Sequence, residues 1–151
     1  MKTCTHCTKT KPLIDFAIKR GAPSNICRLC ASARAMEYKR SRSGLVTKIY
    51  AHQRSHSIAR GHTPPPYTNK ELLAWTLAQP NFEELYSRWV DSSYAKYKQP
   101  SIDRLEDHLP YSFDNIRLVD FRTNEQSSQV ANREKALQKK VAMGLISGYR
   151  M

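Results

Sequence analysis

The sequence predicts an α+β protein in three parts: a cysteine-stapled knuckle or ribbon module, a helical middle region, and a C-terminal unit of two strands followed by a helix. Three observations predict it. Two Cys-x-x-Cys pairs lie within the first thirty residues, apolar residues recur at three- and four-residue spacing between about 46 and 90, and short alternating segments flank a turn-rich stretch from 100 to 121. The expected boundaries are 1–33, 34–98 and 99–140, with 141–151 as a tail.

A chain of 151 residues is enough for one modest domain, or a small domain plus a stapled module, and excludes a large multidomain enzyme. No apolar run approaches the roughly 20 residues that a membrane span needs, and MKTCTHC lacks the apolar core of a signal peptide, so a cytoplasmic protein is expected. In a reducing compartment, paired cysteines read as metal ligands rather than disulfides.

Net charge is +12 and unevenly placed. Residues 1–62 hold thirteen Lys/Arg against two acids, an excess of +11, whereas residues 63–151 hold twelve against eleven. The basic half offers no broad greasy helical face for a membrane surface, so the expected partner is nucleic acid, DNA in particular.

Cys4-x-x-Cys7 and Cys27-x-x-Cys30 have the spacing of a four-thiolate Zn²⁺ site, read as two tight knuckles that each present two sulfurs. His6 is a bystander, since four thiolates fill the tetrahedron. A closed site of this kind is structural rather than catalytic, and a short polar segment needs such a staple to fold. The module would hold Lys9, Lys11, Lys19, Arg20 and Arg28 on a rigid surface for phosphate contacts.

ASARAMEYKRSRS, residues 31–43, predicts a basic helix ending near Gly44, adding Arg34, Lys39, Arg40 and Arg42 to the nucleic-acid-binding set. A second helix is expected from about Val46 to Arg60, with Val46, Ile49 and Tyr50 on one face. GHTPPPYTNKE then reads as a stiff linker. Thr68 and Glu71 have the form of a capping box opening a helix through ELLAWTLAQ. Pro80 and Asn81 stop it and start another, whose Phe82, Leu85, Tyr86, Trp89 and Val90 form a stripe read as core rather than base-stacking surface.

SIDRL and IRLVDF predict two short strands with Ile102, Ile116, Leu118 and Phe121 facing a core, and RTNEQSSQVANREKALQKK a helix, acidic early and basic late. Asp103 then ends the first strand, Asn115 begins the second, and Asn124 falls in the first turn of the helix. Folding back on itself, the unit would bring Asp103 and Asn124 together across its mouth. A carboxylate, an amide oxygen and waters suit Mg²⁺, which stabilises charge on the leaving oxygen in phosphodiester hydrolysis.

PSIDRLEDHLPYSFDNIRLVDFRTN resembles the ββα-metal core of HNH (His-Me finger) endonucleases, and more narrowly the small phage-encoded, often homing-type, proteins with an SIDR…PYS.DNIRLV…N pattern. GHTPPPYTNKELLAWTLAQPNFEELYSRWVDSSY is similar to the helical region that precedes that core, so the likeness covers about residues 61–126. It implies a DNA endonuclease with structural Zn²⁺ and catalytic Mg²⁺, leaving 3′-hydroxyl and 5′-phosphate ends. Asp103 and Asn124 would be metal ligands, and Asn115 the asparagine that constrains the loop and the base.

The departure is Arg104, where many such enzymes carry the histidine that activates water; a guanidinium does not deprotonate. Three assignments stand open. His108, in the loop, takes the proton; or a metal-bound water or a histidine among His52, His56 and His62 does so while Arg104 clamps the phosphate; or the site is inactive and the protein only binds DNA. The alternatives to a simple endonuclease are accordingly a non-catalytic zinc-finger nucleic-acid-binding regulator and a structure-selective junction nuclease.

Overall fold

The structure of the protein, a computed structural model, describes residues 1–145; the expected tail from 146 onward lies outside the described residues. Among the described residues there are five helices and three two-stranded antiparallel sheets, an α+β composition as expected. They divide into two compact units, Met1–Leu45 and the described residues from Val46 onward. The first is larger than the expected module because the basic helix belongs to it.

In the first unit, β1 (Lys2–Thr3) pairs with β2 (Thr10–Lys11), and β3 (Phe16–Lys19) with β4 (Ala22–Cys27). The second hairpin turns at Arg20 and Gly21, both at positive φ (50° and 80°), a backbone that matches the twist of the flanking strands. Helix α1 (Arg28–Arg40) follows directly, three residues earlier than expected. It fully buries no side chain, since its apolar residues are spread around the helix rather than gathered on one face.

The helix does not run on to Gly44. It stops at Ser41, whose amide still bonds back to Glu37 and Tyr38, and α2 (Arg42–Ala59) begins at once. Ser41 Oγ donates to the Tyr38 carbonyl at 2.6 Å and accepts from the Gly44 amide at 3.1 Å, so one hydroxyl serves the end of one helix and the start of the next. A Cβ on Gly44 would lie 1.9 Å from the Tyr38 carbonyl oxygen, which is why glycine stands there.

In the second unit α2 ends on Gly61 at φ 68°, with the His62 amide bonded to Ser57 O and the Gly61 amide to Ile58 O. The proline run is no free spacer. Pro65 and Tyr67 are buried, the Tyr67 hydroxyl donates to Gln53 Oε1 at 2.9 Å, and its ring stacks on Phe113 at 4.4 Å. Proline stiffness here delivers an aromatic to the core. Helix α3 (Asn69–Leu77) opens on a complete capping box between Thr68 and Glu71, as expected.

Helix α4 (Phe82–Asp91) buries Phe82, Leu85 and Trp89, so the stripe is core; Tyr86 is half-buried, and Val90 lies outside it. Asn81 stands before the helix without capping it. Its amide instead donates to Leu118 O at 3.1 Å, tying α4 to the C-terminal hairpin. That hairpin pairs β5 (Pro100–Arg104) with β6 (Ile116–Asp120), from Pro100 opposite Asp120 to Arg104 opposite Ile116. Ile102, Ile116 and Leu118 are buried; Phe121 is only half so. Helix α5 (Phe121–Ala142) is capped by Asp120, which accepts from the Thr123 amide at 2.8 Å. Its first turn holds no acid, so the cap supplies the early negative charge, and Lys139 and Lys140 supply the late positive charge.

Candidate functional site

The first unit places its four sulfurs together. The Cys4, Cys7, Cys27 and Cys30 Sγ atoms lie within 4.8 Å of one another, the only such cluster of three or more ligating side chains among the described residues. A tetrahedral Zn²⁺ with bonds of about 2.3 Å holds sulfurs about 3.8 Å apart, so the tetrad needs little adjustment to take the ion. The first pair sits in a knuckle whose turn is completed by Thr8 at φ 57° and by Thr8 and Cys4 amides bonded to Cys4 O and Lys9 O. The second is not a knuckle: Cys27 ends β4 and Cys30 lies in the first turn of α1.

Amides around the sulfurs favour thiolates. N–H groups of Cys7 and Cys27 hold the Cys4 thiol down to about 5, and the Cys27 amide lies 3.2 Å from Cys4 Sγ. The bond with Cys27 pushes the Cys30 thiol up to about 12, so the tetrad without a metal keeps a proton that a divalent cation displaces. Lys11 donates to Cys27 Sγ at 3.4 Å, and that bond raises its own pKa. One of its N–H groups therefore serves the thiolate charge of the tetrad. Arg28 likewise donates through Nε to Ile14 O. Lys9, Lys19, Arg20, Arg34, Lys39 and Arg42 are exposed, and Arg40 is half-buried.

In the second unit, β5, the loop to Asn115, β6 and α5 form a compact strand–loop–strand–helix. Asn115 is buried and binds across the loop: Oδ1 accepts from the Glu106 amide at 2.8 Å, while Nδ2 donates to Glu106 O and Pro110 O at 3.1 and 2.9 Å. Its carbonyl accepts from the Leu105 amide. An asparagine does this because one amide group carries both donor and acceptor, matching a backbone edge.

Asp103, 8 % exposed, sits opposite Arg117 in the sheet. Arg117 Nε and Nη2 donate to its Oδ2 at 3.2 and 2.8 Å, and Nη2 also reaches Ser127 Oγ on α5. Asp103 thus faces the helix. Asn124, one turn before Ser127, donates to Ser101 Oγ at 2.7 Å and Ile102 O at 3.3 Å, which directs its own carbonyl oxygen away from those acceptors. The two expected ligands do not share a cavity. Asp103 lines one of about 640 Å³ with His108, Arg117 and Ser127; Asn124 lines another of about 540 Å³ with Ser101, His52 and His56.

Arg104 is the main difference from expectation. Its side chain is 4 % exposed, donating to Leu109 O at 2.9 Å and to Asp107 Oδ1 at 2.5 Å, with the guanidinium over the Tyr111 ring. Asp107 is paired in turn with Lys135 of α5, whose bond, helped by Arg104, holds its carboxyl below the usual range. A fork turned inward, with both terminal nitrogens bonded inside the loop, acts as a latch on that loop. His108 is exposed, 3.7 Å from the Glu106 carboxylate.

Sequence reasoning missed Arg117, Ser127 and Lys135. Arg117 was within reach, since folding the strands about the loop sets it opposite Asp103; the other two depend on where α5 lies. His52 and His56 stack at 5.9 Å on successive turns of α2, and burial, with Arg60, His52 and Arg104, holds His56 below its usual range. Among the described residues no helix is long and apolar enough to cross a membrane. Comparison with protein-family models, curated proteins and solved structures finds no match to this chain.

Proposed function

We propose that the protein is a Mg²⁺-dependent DNA endonuclease of the HNH type, carrying structural Zn²⁺ and using its basic first unit to hold DNA. The observation that supports this reading is the Asn115 clasp, which closes the loop between β5 and β6 while Asp103 faces α5. The donor chemistry suits a hard cation: the Asp103 carboxylate already seats the positive guanidinium of Arg117. On this reading Asp103 would hold Mg²⁺ in the cavity it lines with His108 and Arg117, and the ion would supply charge stabilisation at the scissile phosphate. Asn124, which lines a different cavity, stands outside that donor set.

Arg117 is half-exposed, and its guanidinium would be the cation nearest a phosphate brought to Asp103. His108 lines the cavity of Asp103, and its imidazole accepts the water proton. Arg104 and Asn115 hold the loop that carries it. Purified protein incubated with plasmid DNA tests the reading: nicking or linearisation should require Mg²⁺, vanish in Asp103→Ala, and fall by about 10²-fold or more in His108→Ala.

The Arg117–Asp103 pair and the arginine at position 104 favour one second reading, a zinc-stapled nucleic-acid-binding regulator without chemistry. Intact plasmid, recovered after salt-dependent binding that is indifferent to Mg²⁺, would establish it instead.

A further inference from the structure

The 540 Å³ cavity bounded by α2, β5 and α5 has an apolar floor and a basic rim. Ile49, Ile102, Tyr111 and Phe121 contribute the floor; Lys48, His52, His56 and Lys96 contribute the rim, with Glu125 the acid among the lining residues. Gln53 also lines it. That residue is 2 % exposed, and its Oε1 is occupied by the Tyr67 hydroxyl, yet its Nε2 is buried without an acceptor. A buried amide nitrogen left unbonded costs about 1–3 kcal/mol unless a ligand completes it. Ser101 Oγ accepts from Asn124, which leaves its own O–H to donate.

We propose that this cavity takes one unstacked nucleotide of a nucleic-acid strand, its base on the apolar floor and its phosphate on the basic rim. Aromatic floor and cationic rim are the two elements that single-strand sites combine, and Gln53 Nε2 supplies a donor for a carbonyl or ring nitrogen of the base. A metal is the poorer occupant: His52 and His56 offer two nitrogens, no third ligand clusters with them among the described residues, and two lysines stand at the rim. The volume is ample for a nucleotide, and its charge matches the rim. The inference rests on the nucleic-acid part of the proposed function and is independent of cleavage.

The test uses the zinc-loaded full chain without Mg²⁺, measuring fluorescence anisotropy of a labelled single strand and of the matching duplex. Lys48→Gln/Lys96→Gln and, separately, His52→Gln/His56→Gln change exposed side chains. Each should weaken single-strand binding about tenfold, with much smaller effects on duplex. The lysine pair should also lower the salt slope by about 1, and the histidine pair should leave it unchanged near neutrality, since His56 is held below its usual range. Gln53→Glu, which keeps the acceptor for Tyr67 and removes the donor, should weaken single-strand binding likewise. Lys139→Gln/Lys140→Gln, at the far end of α5, is the charge control and should change it less than about threefold.

Equal losses on strand and duplex, or losses matched by the control pair, would reduce the rim to general charge and overturn the proposal. Full competition by a free mononucleotide would reassign the cavity to free nucleotides and overturn the strand. Binding of strand by the wild type that no cavity variant alters sinks the cavity alone, whereas no binding of any nucleic acid sinks the proposed partner as well.

Discussion

Asn115 shows how one side chain sets a loop. Both ends of its amide are used inside the fold, so replacement by alanine leaves the Glu106 amide and the Glu106 and Pro110 carbonyls without their partner. Asn115→Ala should cost on the order of 2 kcal/mol in chemical denaturation. It should also raise amide hydrogen exchange across 105–115 more than in α4. Arg104 works the same loop from its other side, through Leu109 O and Asp107. That role was hidden in the sequence, because nothing local tells a guanidinium turned inward from one offered to solvent. Asn115 was legible through the resemblance, which implies an asparagine that constrains this loop.

At the scale of elements, legibility followed period and caps. The α4 stripe and the Thr68–Glu71 box were readable because both are local: a 3.6-residue period and a four-residue signature need no partner to be recognised. The α1–α2 break was not. ASARAMEYKRSRSG carries good helix formers on both sides of Ser41, and what divides them is a close approach of Gly44 to the Tyr38 carbonyl. Propensity does not report such contacts. The proline run misled for a related reason, since stiffness predicts an extended backbone but not whether that backbone packs.

The α3 cap also makes a pH prediction. The Thr68 amide, with its hydroxyl, holds the Glu71 carboxyl below its ordinary value of 4.5. A depressed carboxylate contributes stability that is fully present above the unfolded value and is lost as pH falls through the folded one. Glu71→Ala should therefore lower the thermal midpoint at neutral pH, and the gap to wild type should close below about pH 4.5. A gap unchanged down to pH 3 would show that the cap acts through packing rather than charge.

For the whole molecule, the division into two units implies two kinds of stability. The first unit buries Cys4, Phe16 and Cys27 as its small cluster, with Cys7, Ile26 and Cys30 packed against it, so most of that core is ligand set. The second has a conventional apolar core built on Leu72, Phe82, Leu85, Trp89 and the β5–β6 hairpin. Chelation should therefore unfold the first unit while the second persists. Amide signals of residues 1–40 should collapse in an excess of chelator while those of α4 and β6 remain, and Zn²⁺ should restore them. Loss of both sets together would show that the units fold as one.

The Asp107–Lys135 pair joins residues 28 apart in sequence, and it sets where this protein can be shortened. A chain stopped within α5 before Lys135 would keep both strands, the Asp120 cap and Asn124. It would nonetheless untie Asp107, and with it part of the hold on Arg104. The length that holds this loop is therefore greater than the resembling stretch alone. What looks like surplus helix after Asn124 is the far anchor of the loop before Asn115.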